Sequence, residues 1–161
     1  MPENELNLLK TAILNEMEGH QFYTLAAQQV KDTDTKQALL FLAEEEEKHK
    51  SWLLNLYRNI ARNQPPDPSA FRDIPSPGIF EPGKVKPESG SLEVSVFRIG
   101  ILMEKASVDF YRRAAAESRR DDVKKLCARL AEWETGHLDM LEKTYDYLKE
   151  EWWEKQGFSP A

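Results

Sequence analysis

The sequence predicts an all-α protein, a four-helix bundle built from two helical hairpins joined by a long proline-rich crossover. Three observations predict it. Apolar residues recur at alternating steps of three and four over most of the chain, the spacing of one helix face. Seven of the nine prolines crowd between Asn63 and Gly90. The stretch after that segment aligns without a gap on the stretch before it, with matching residues at the stripe positions.

The first helix is read from Leu6, Leu9, Ile13, Glu16, His20, Tyr23, Ala27 and Val30, which fall on one stripe. Asp32-Thr33-Asp34-Thr35 interrupts the stripe, and Asp34 is the expected N-cap of the next helix, since a short oxygen-bearing side chain satisfies free backbone N–H groups there. Leu39, Leu42, Glu46, His49, Leu53, Leu56 and Ile60 then form a second stripe, closing a helical hairpin over residues 5–61. From 62 to 91 the prolines forbid a continuous helix. A connection this long is uncommon in a compact domain. It either tethers two independent hairpins or runs back along the bundle, so that the second and third helices lie parallel. Phe71, Ile74, Ile79, Phe80 and Val85 suggest that it packs on something.

Phe97, Ile101, Glu104, Val108, Tyr111 and Ala115 mark a third helix. After a polar break at Ser118 to Asp121, Val123, Cys127, Leu130, Glu134, His137, Leu141 and Leu148 mark a fourth, giving a second hairpin over 92–150. In the tail, 151–161, Trp152, Trp153 and Phe158 are expected to cover part of the bundle surface. At 161 residues the whole chain fits one domain with a core of useful size.

Composition excludes several functions. A formal net charge of −6 argues against a nucleic-acid partner, because phosphate binding needs a concentrated basic surface. The basic pairs Arg112-Arg113, Arg119-Arg120 and Lys124-Lys125 alternate with acids and read as solvated helix surface. No apolar run approaches the roughly 20 residues that span a bilayer, so no membrane is expected. Met1 to Lys10 lacks the basic-then-apolar pattern of a secretory signal, and a lone cysteine, Cys127, permits no intrachain disulfide. The expected compartment is the cytoplasm.

Laid without a gap over the first hairpin, the second places Ile101, Leu102 and Glu104 on Ile13, Leu14 and Glu16. Phe110, Tyr111, Ala114 and Ala115 fall on Phe22, Tyr23, Ala26 and Ala27. Leu130, Ala131, Glu134, His137, Leu141 and Tyr145 fall on Leu42, Ala43, Glu46, His49, Leu53 and Tyr57. Each copy therefore has one glutamate inside the apolar stripe of its first helix and a Glu-x-x-His inside that of its second. Residues three apart share a helix face, one turn from each other. Closing four such helices brings Glu16, Glu46, Glu104, Glu134, His49 and His137 to one level.

Burying four carboxylates uncompensated would cost several kcal/mol each, to an order of magnitude. They could take up protons, pair with bases or bind cations. The stripes offer no inward Lys or Arg. Two divalent metal ions would balance four carboxylates, with the two imidazoles completing the coordination.

At these residues the sequence resembles the ferritin-like superfamily and, within it, the rubrerythrin-like proteins. The resemblance rests on Glu16 with Phe22-Tyr23 and Ala26-Ala27, on Leu42-Ala43-x-x-Glu46-x-x-His49, and on their second copies. It implies a single ferritin-like domain holding two iron ions, with manganese or another divalent metal as the alternative. It implies that Glu46 and Glu134 bridge the ions, that Glu16 and Glu104 are terminal ligands, and that His49 and His137 each cap one ion. Tyr23 and Tyr111 look like tyrosines that orient these ligands from behind.

Two features depart from the rubrerythrin pattern. One cysteine cannot supply the paired C-x-x-C knuckles of a rubredoxin domain, so an external electron donor such as a rubredoxin-like protein is expected. The further acidic ligand one turn after the third helix's glutamate is missing, since Lys105, Ala106, Ser107 and Val108 follow Glu104.

The function expected is that of a non-haem di-iron oxidoreductase, in which ferrous iron reacts with hydrogen peroxide or dioxygen, with a homodimer as the expected assembly. The alternatives are a ferroxidase or an iron storage or delivery protein, and a metal-free structural bundle with a vestigial site. His20 lies on the inward stripe one turn beyond Glu16, yet its counterpart is Val108. It is carried as a ligand, as a proton-transfer group or as a satisfied core histidine. Cys127 reads as a buried filler. Glu45 and Glu47 are candidates for guiding iron inward.

Overall fold

The computed structural model describes residues 2–62, 77, 79 and 92–155. These hold four α-helices: α1 (Pro2–Gln29), α2 (Thr33–Ile60), α3 (Leu92–Glu117) and α4 (Asp121–Lys155). There is no strand among the described residues. The described residues form a helical bundle, as the periodicity predicts.

Local chemistry fixes where the helices stop. Asp32, extended at φ −67° and ψ 127°, caps α2: its carboxylate accepts from the Thr35 backbone N–H at 2.9 Å and from the Thr35 hydroxyl at 2.7 Å. The expected cap, Asp34, instead lies inside the first turn of α2, where a negative charge faces the positive end of the helix dipole. The sequence offered two aspartates, and the extended backbone at Asp32 decides between them. At its other end α2 closes through the Ala61 N–H donating to the Tyr57 carbonyl at 2.8 Å, and Arg62 turns the chain away with a left-handed φ of 54°. The fourth helix runs to Lys155, so residues 151–155, expected in the tail, continue α4. Trp153 there is 36% exposed. The Trp152 side chain and Phe158 lie outside the described residues, as do Phe71, Ile74, Phe80 and Val85 of the crossover.

The turn between α3 and α4 is pinned from a distance. Glu5 of α1, buried to 6% exposure, accepts from the Ser118 hydroxyl at 2.8 Å and from the Arg119 backbone N–H at 2.7 Å. One carboxylate thereby holds the first hairpin against the turn of the second. Hydrogen bonds to a charged group contribute about 1.5–3 kcal/mol. Glu5→Ala is therefore expected to lower the stability by about 2 kcal/mol in urea unfolding, with metal content unchanged. An unaltered unfolding midpoint would show the contact to be idle.

Two apolar clusters fill the bundle. One gathers Tyr23, Ala27, Leu39, Leu42, Phe97 and Leu141, with Ile79 of the crossover packed in it. The other gathers Leu9, Ile13, Leu53, Tyr57, Tyr111, Val123, Cys127 and Leu130. The first holds the starts of α2 and α3 and the ends of α1 and α4, and the second the opposite ends. So α2 and α3 run parallel, and the two hairpins share both clusters. Between the hairpins α2 lies nearest α4. At the end of α2, Tyr57 takes the buried position while Leu56 and Ile60 are half-buried. The space between the clusters is left to the polar residues.

Candidate metal centre

All six residues singled out by the repeat meet there. Glu16, Glu104, Glu46 and Glu134 are 0–1% exposed, His49 is 1% and His137 is 8% exposed. They form two interlocked groups, Glu16, Glu46, His49 and Glu134 on one side, and Glu46, Glu104, Glu134 and His137 on the other. In each group one ligand atom per residue lies within 4.8 Å of all the others. That is close to the separation of donors across a transition-metal ion, whose bonds to nitrogen and oxygen are about 2.0–2.2 Å. Glu46 and Glu134 belong to both groups, Glu16 and Glu104 to one each.

The imidazoles enter through Nδ1. His49 Nδ1 lies 3.0 Å from Glu134 Oε1 and 3.7 Å from Glu16 Oε2. His137 Nδ1 lies 3.2 Å from Glu134 Oε2, 3.7 Å from Glu46 Oε1 and 3.9 Å from Glu104 Oε1. The terminal carboxylates are held crosswise: Tyr23 of α1 donates to Glu104 Oε1 of α3 at 2.6 Å, and Tyr111 of α3 donates to Glu16 Oε1 of α1. The tyrosines tie one hairpin to the other through the ligands themselves.

Each terminal carboxylate thus has one oxygen engaged, and the second, Oε2 in both Glu16 and Glu104, has no hydrogen-bond partner. Neither has either oxygen of Glu46. Orphaned acceptors at this depth are rare in folded proteins and call for a ligand. Four such oxygens, on three carboxylates facing two imidazole nitrogens, are a donor set of hard and borderline atoms suited to a divalent transition metal. The residues fit such a centre.

The electrostatics follow from the crowding. Burial raises the Glu46 carboxyl well above the usual range, and the charges of Glu134 and Glu16 raise it further. Burial and then the Glu134 charge do the same to Glu104, and burial followed by the Glu16 charge raises Glu134. Burial works against ionised Glu16, but the neighbouring Glu46 carboxyl, His49 and Tyr111 outweigh it and hold Glu16 below its ordinary value. For His49 burial is overcome by Glu134 and Glu16, which bring it up to about 10; at His137 burial prevails and lowers it. Both phenols are pushed well above 10, by burial first and then by the adjacent carboxylates, so they remain donors.

His20 stands apart. Its Nδ1 lies 2.8 Å from the Ala43 carbonyl oxygen, which can only accept, so Nδ1 carries the proton. It is in neither ligand group. Ser107 and Val108, both buried, fill the positions one turn past Glu104, and no carboxylate enters from there. Cys127 is fully buried in the second cluster, where burial pushes its thiol up to about 12. Glu45 and Glu47 pair with Lys48 and Lys50 on the surface of α2.

Sequence reading missed two features. Asn15, beside Glu16 and 1% exposed, places Nδ2 at 3.4 Å from the Ser107 hydroxyl. Trp52 and Trp133 pack on His49, with ring centroids 5.4 and 5.6 Å from the imidazole. Only the adjacency of Trp133 to Glu134, and the one-turn spacing of Trp52 from His49, hinted at the second.

Comparison with known proteins agrees with this geometry. The family model described as Rubrerythrin matches residues 7–145, which include every residue of the cluster. The chain belongs to the rubrerythrin family. No curated protein matches it significantly. Among solved structures it is similar to a hypothetical protein from Pyrococcus furiosus, at 25% identity, with 89% of each chain covered and a TM-score of 0.70. For a rubrerythrin-family chain the buried cluster marks a metal-binding site. No helix among the described residues is long and apolar enough to cross a membrane.

Proposed function

We propose that this rubrerythrin-family protein is a non-haem di-iron oxidoreductase acting on hydrogen peroxide or dioxygen. The observation that carries the reading is the sharing of Glu46 and Glu134 between two ligand groups, with four carboxylate oxygens left without hydrogen-bond partners. Glu46 and Glu134 would bridge the ions, Glu16 and Glu104 would each bind one, and His49 and His137 would cap one each. When bound, iron supplies electrons to the oxidant and a Lewis acid to polarise it.

The chain's own groups set the conditions. Tyr23 and Tyr111 keep their protons and fix the free rotation of Glu104 and Glu16, so that one oxygen of each faces inward. The apolar clusters above and below exclude water, which strengthens every charge interaction in the layer. His20, with its proton committed to the Ala43 carbonyl, braces α1 against α2 one turn from Glu16. A homodimer in the cytoplasm, reduced by an external one-electron protein donor, completes the proposal.

The test is anaerobic loading with ferrous iron, followed by rapid mixing with peroxide or with dioxygen. Two iron ions per chain are expected after desalting, with oxidant consumed far faster than by free ferrous ion. Iron retained at two per chain after repeated turnover supports an oxidoreductase, whereas progressive accumulation of ferric iron in a large assembly would indicate storage instead. Less than about half an ion per chain would leave only a vestigial site.

A further inference from the structure

Two indoles connect the cluster to solvent. Trp52, on α2 one turn beyond His49, is 37% exposed and belongs to neither apolar cluster. Trp133, on α4 immediately before Glu134, is half-buried and borders the second cluster. Their ring centroids are 4.3 Å apart. Trp133 stacks on His49 at 5.6 Å with an interplanar angle of 18°, and His49 stacks on His137 at 5.5 Å with an angle of 11°. Four rings, each with its centroid within 5.6 Å of the next, therefore run from the surface to both ligand imidazoles. We propose that Trp52 and Trp133 are the route by which electrons from a one-electron donor at the surface reach the metal centre.

Packing alone does not account for the pair. A large aromatic placed for core stability is buried in a cluster, and Trp52 is not. The arrangement is also one-sided. In the repeat, the positions of Trp133 and Trp52 are taken by Glu45 and Met140, so His137 lacks an equivalent pair. The other oxidisable rings near the centre, Tyr23 and Tyr111, are fully buried and hydrogen-bonded to carboxylates. Arg129 gives the route a direction. Its guanidinium lies 5.4 Å from the Trp133 ring centre and disfavours positive charge there. An electron vacancy created at Trp133 is thereby driven toward Trp52, where water stabilises the charge.

The proposal rests on the di-iron reading above, and its balance is simple. Each transfer takes one electron from Trp133 to the oxidised centre, one from Trp52 to the Trp133 radical cation, and one from the donor to the Trp52 radical cation. Both indoles end unchanged, and no bond to them forms or breaks. Two donor electrons and two solvent protons convert one hydrogen peroxide to two waters.

The test compares the iron-loaded full chain with Trp52→Phe, Trp133→Phe and, as a control, Trp153→Phe. Iron content and single-turnover peroxide consumption by the ferrous protein should match the parent in all three. Rapid freezing after peroxide is added in excess of the two electrons that the ferrous iron supplies, without donor, should give an indole radical by electron paramagnetic resonance in the parent and the control. That radical should be lost or altered in the other two, and peptide mapping should find oxygenated Trp52 in the parent. With tetramethyl-p-phenylenediamine as donor, its steady oxidation should fall about tenfold or more in Trp52→Phe and Trp133→Phe. If Trp133→Phe loads less iron, exposed Trp52→Phe carries the comparison. Peroxide consumed normally, with no indole radical and unchanged donor oxidation, would overturn the route alone. A parent that loads iron but consumes no peroxide and no dioxygen would overturn the di-iron reading and the route with it.

Discussion

Glu46→Gln is expected to lose the metal centre while making the metal-free protein more stable. Glu46 is 1% exposed, is shared by both ligand groups, and has no hydrogen-bond partner at either oxygen. Without metal the fold must either bury its charge among Glu16, Glu104 and Glu134 or keep it protonated against water's pull. Glutamine has the same shape and no charge, so it removes that penalty. It is also a poor ligand, and losing the bridge disables both positions at once. In chelator the variant's unfolding free energy should rise by about 1–3 kcal/mol, the order of the penalty for holding a buried carboxyl against its burial and its charged neighbours. With divalent metal added, the parent should gain stability and the variant should not. Metal analysis and melting curves with and without chelator read both effects. A variant that keeps two ions per chain, or is less stable in chelator, would mean that Glu46 is not held in its site for a cation.

The second large effect is on pH. In the metal-free protein Glu46, Glu104 and Glu134 are held above their ordinary value of 4.5, by burial first and then by one another's charges. His49 is held at about 10 against 6.5, its burial outweighed by Glu134 and Glu16. A group raised in the folded state contributes stability below its unfolded value and gives it up as pH rises through the folded one. These four groups therefore make the metal-free protein less stable as pH climbs from about 4.5 past neutrality. Glu16 and His137, both lowered, act oppositely: their contributions are lost as pH falls, for Glu16 below 4.5 and for His137 below 6.5. Four outweigh two, so the metal-free melting temperature is expected to fall between about pH 5 and 8.

Metal reverses the slope. Carboxylates and imidazoles must be deprotonated to bind, so affinity rises with pH over the same interval. At a free metal concentration about 100 times the dissociation constant, binding adds roughly 2.7 kcal/mol. Melting curves with manganese(II), which tolerates air, should diverge upward from those in chelator as pH increases. Parallel curves would show that the six residues titrate independently of metal.

The sequence alone placed the chemistry on each helix. A glutamate in the stripe of Leu9, Ile13 and Tyr23, and a Glu-x-x-His in that of Leu42 and Leu53, state which side chains face inward, because helical periodicity is a local property. The matching second hairpin supplied the same statement twice, and the structure brings all six residues together. Helix stops were less legible. Asp32 and Asp34 are both good caps in composition, and only the backbone angles at Asp32 distinguish them.

What periodicity cannot carry is the relation between helices: which neighbours which, and at what height. The crosswise bonds from Tyr23 to Glu104 and from Tyr111 to Glu16 join residues far apart in the chain, as does the anchoring of the Ser118 turn by Glu5. His20 sits on the inward stripe by count, yet its ring meets the Ala43 carbonyl of α2 instead of the cluster. Trp52 and Trp133 become a pair only because α2 packs beside α4 in parallel-crossover topology. Sequence therefore determined the donor set and its depth in each helix, since a local repeat of 3.6 residues fixes a face. Tertiary packing decided the sharing of Glu46 and Glu134 and the aromatic path outward, since these depend on the rotation and height of one helix against another.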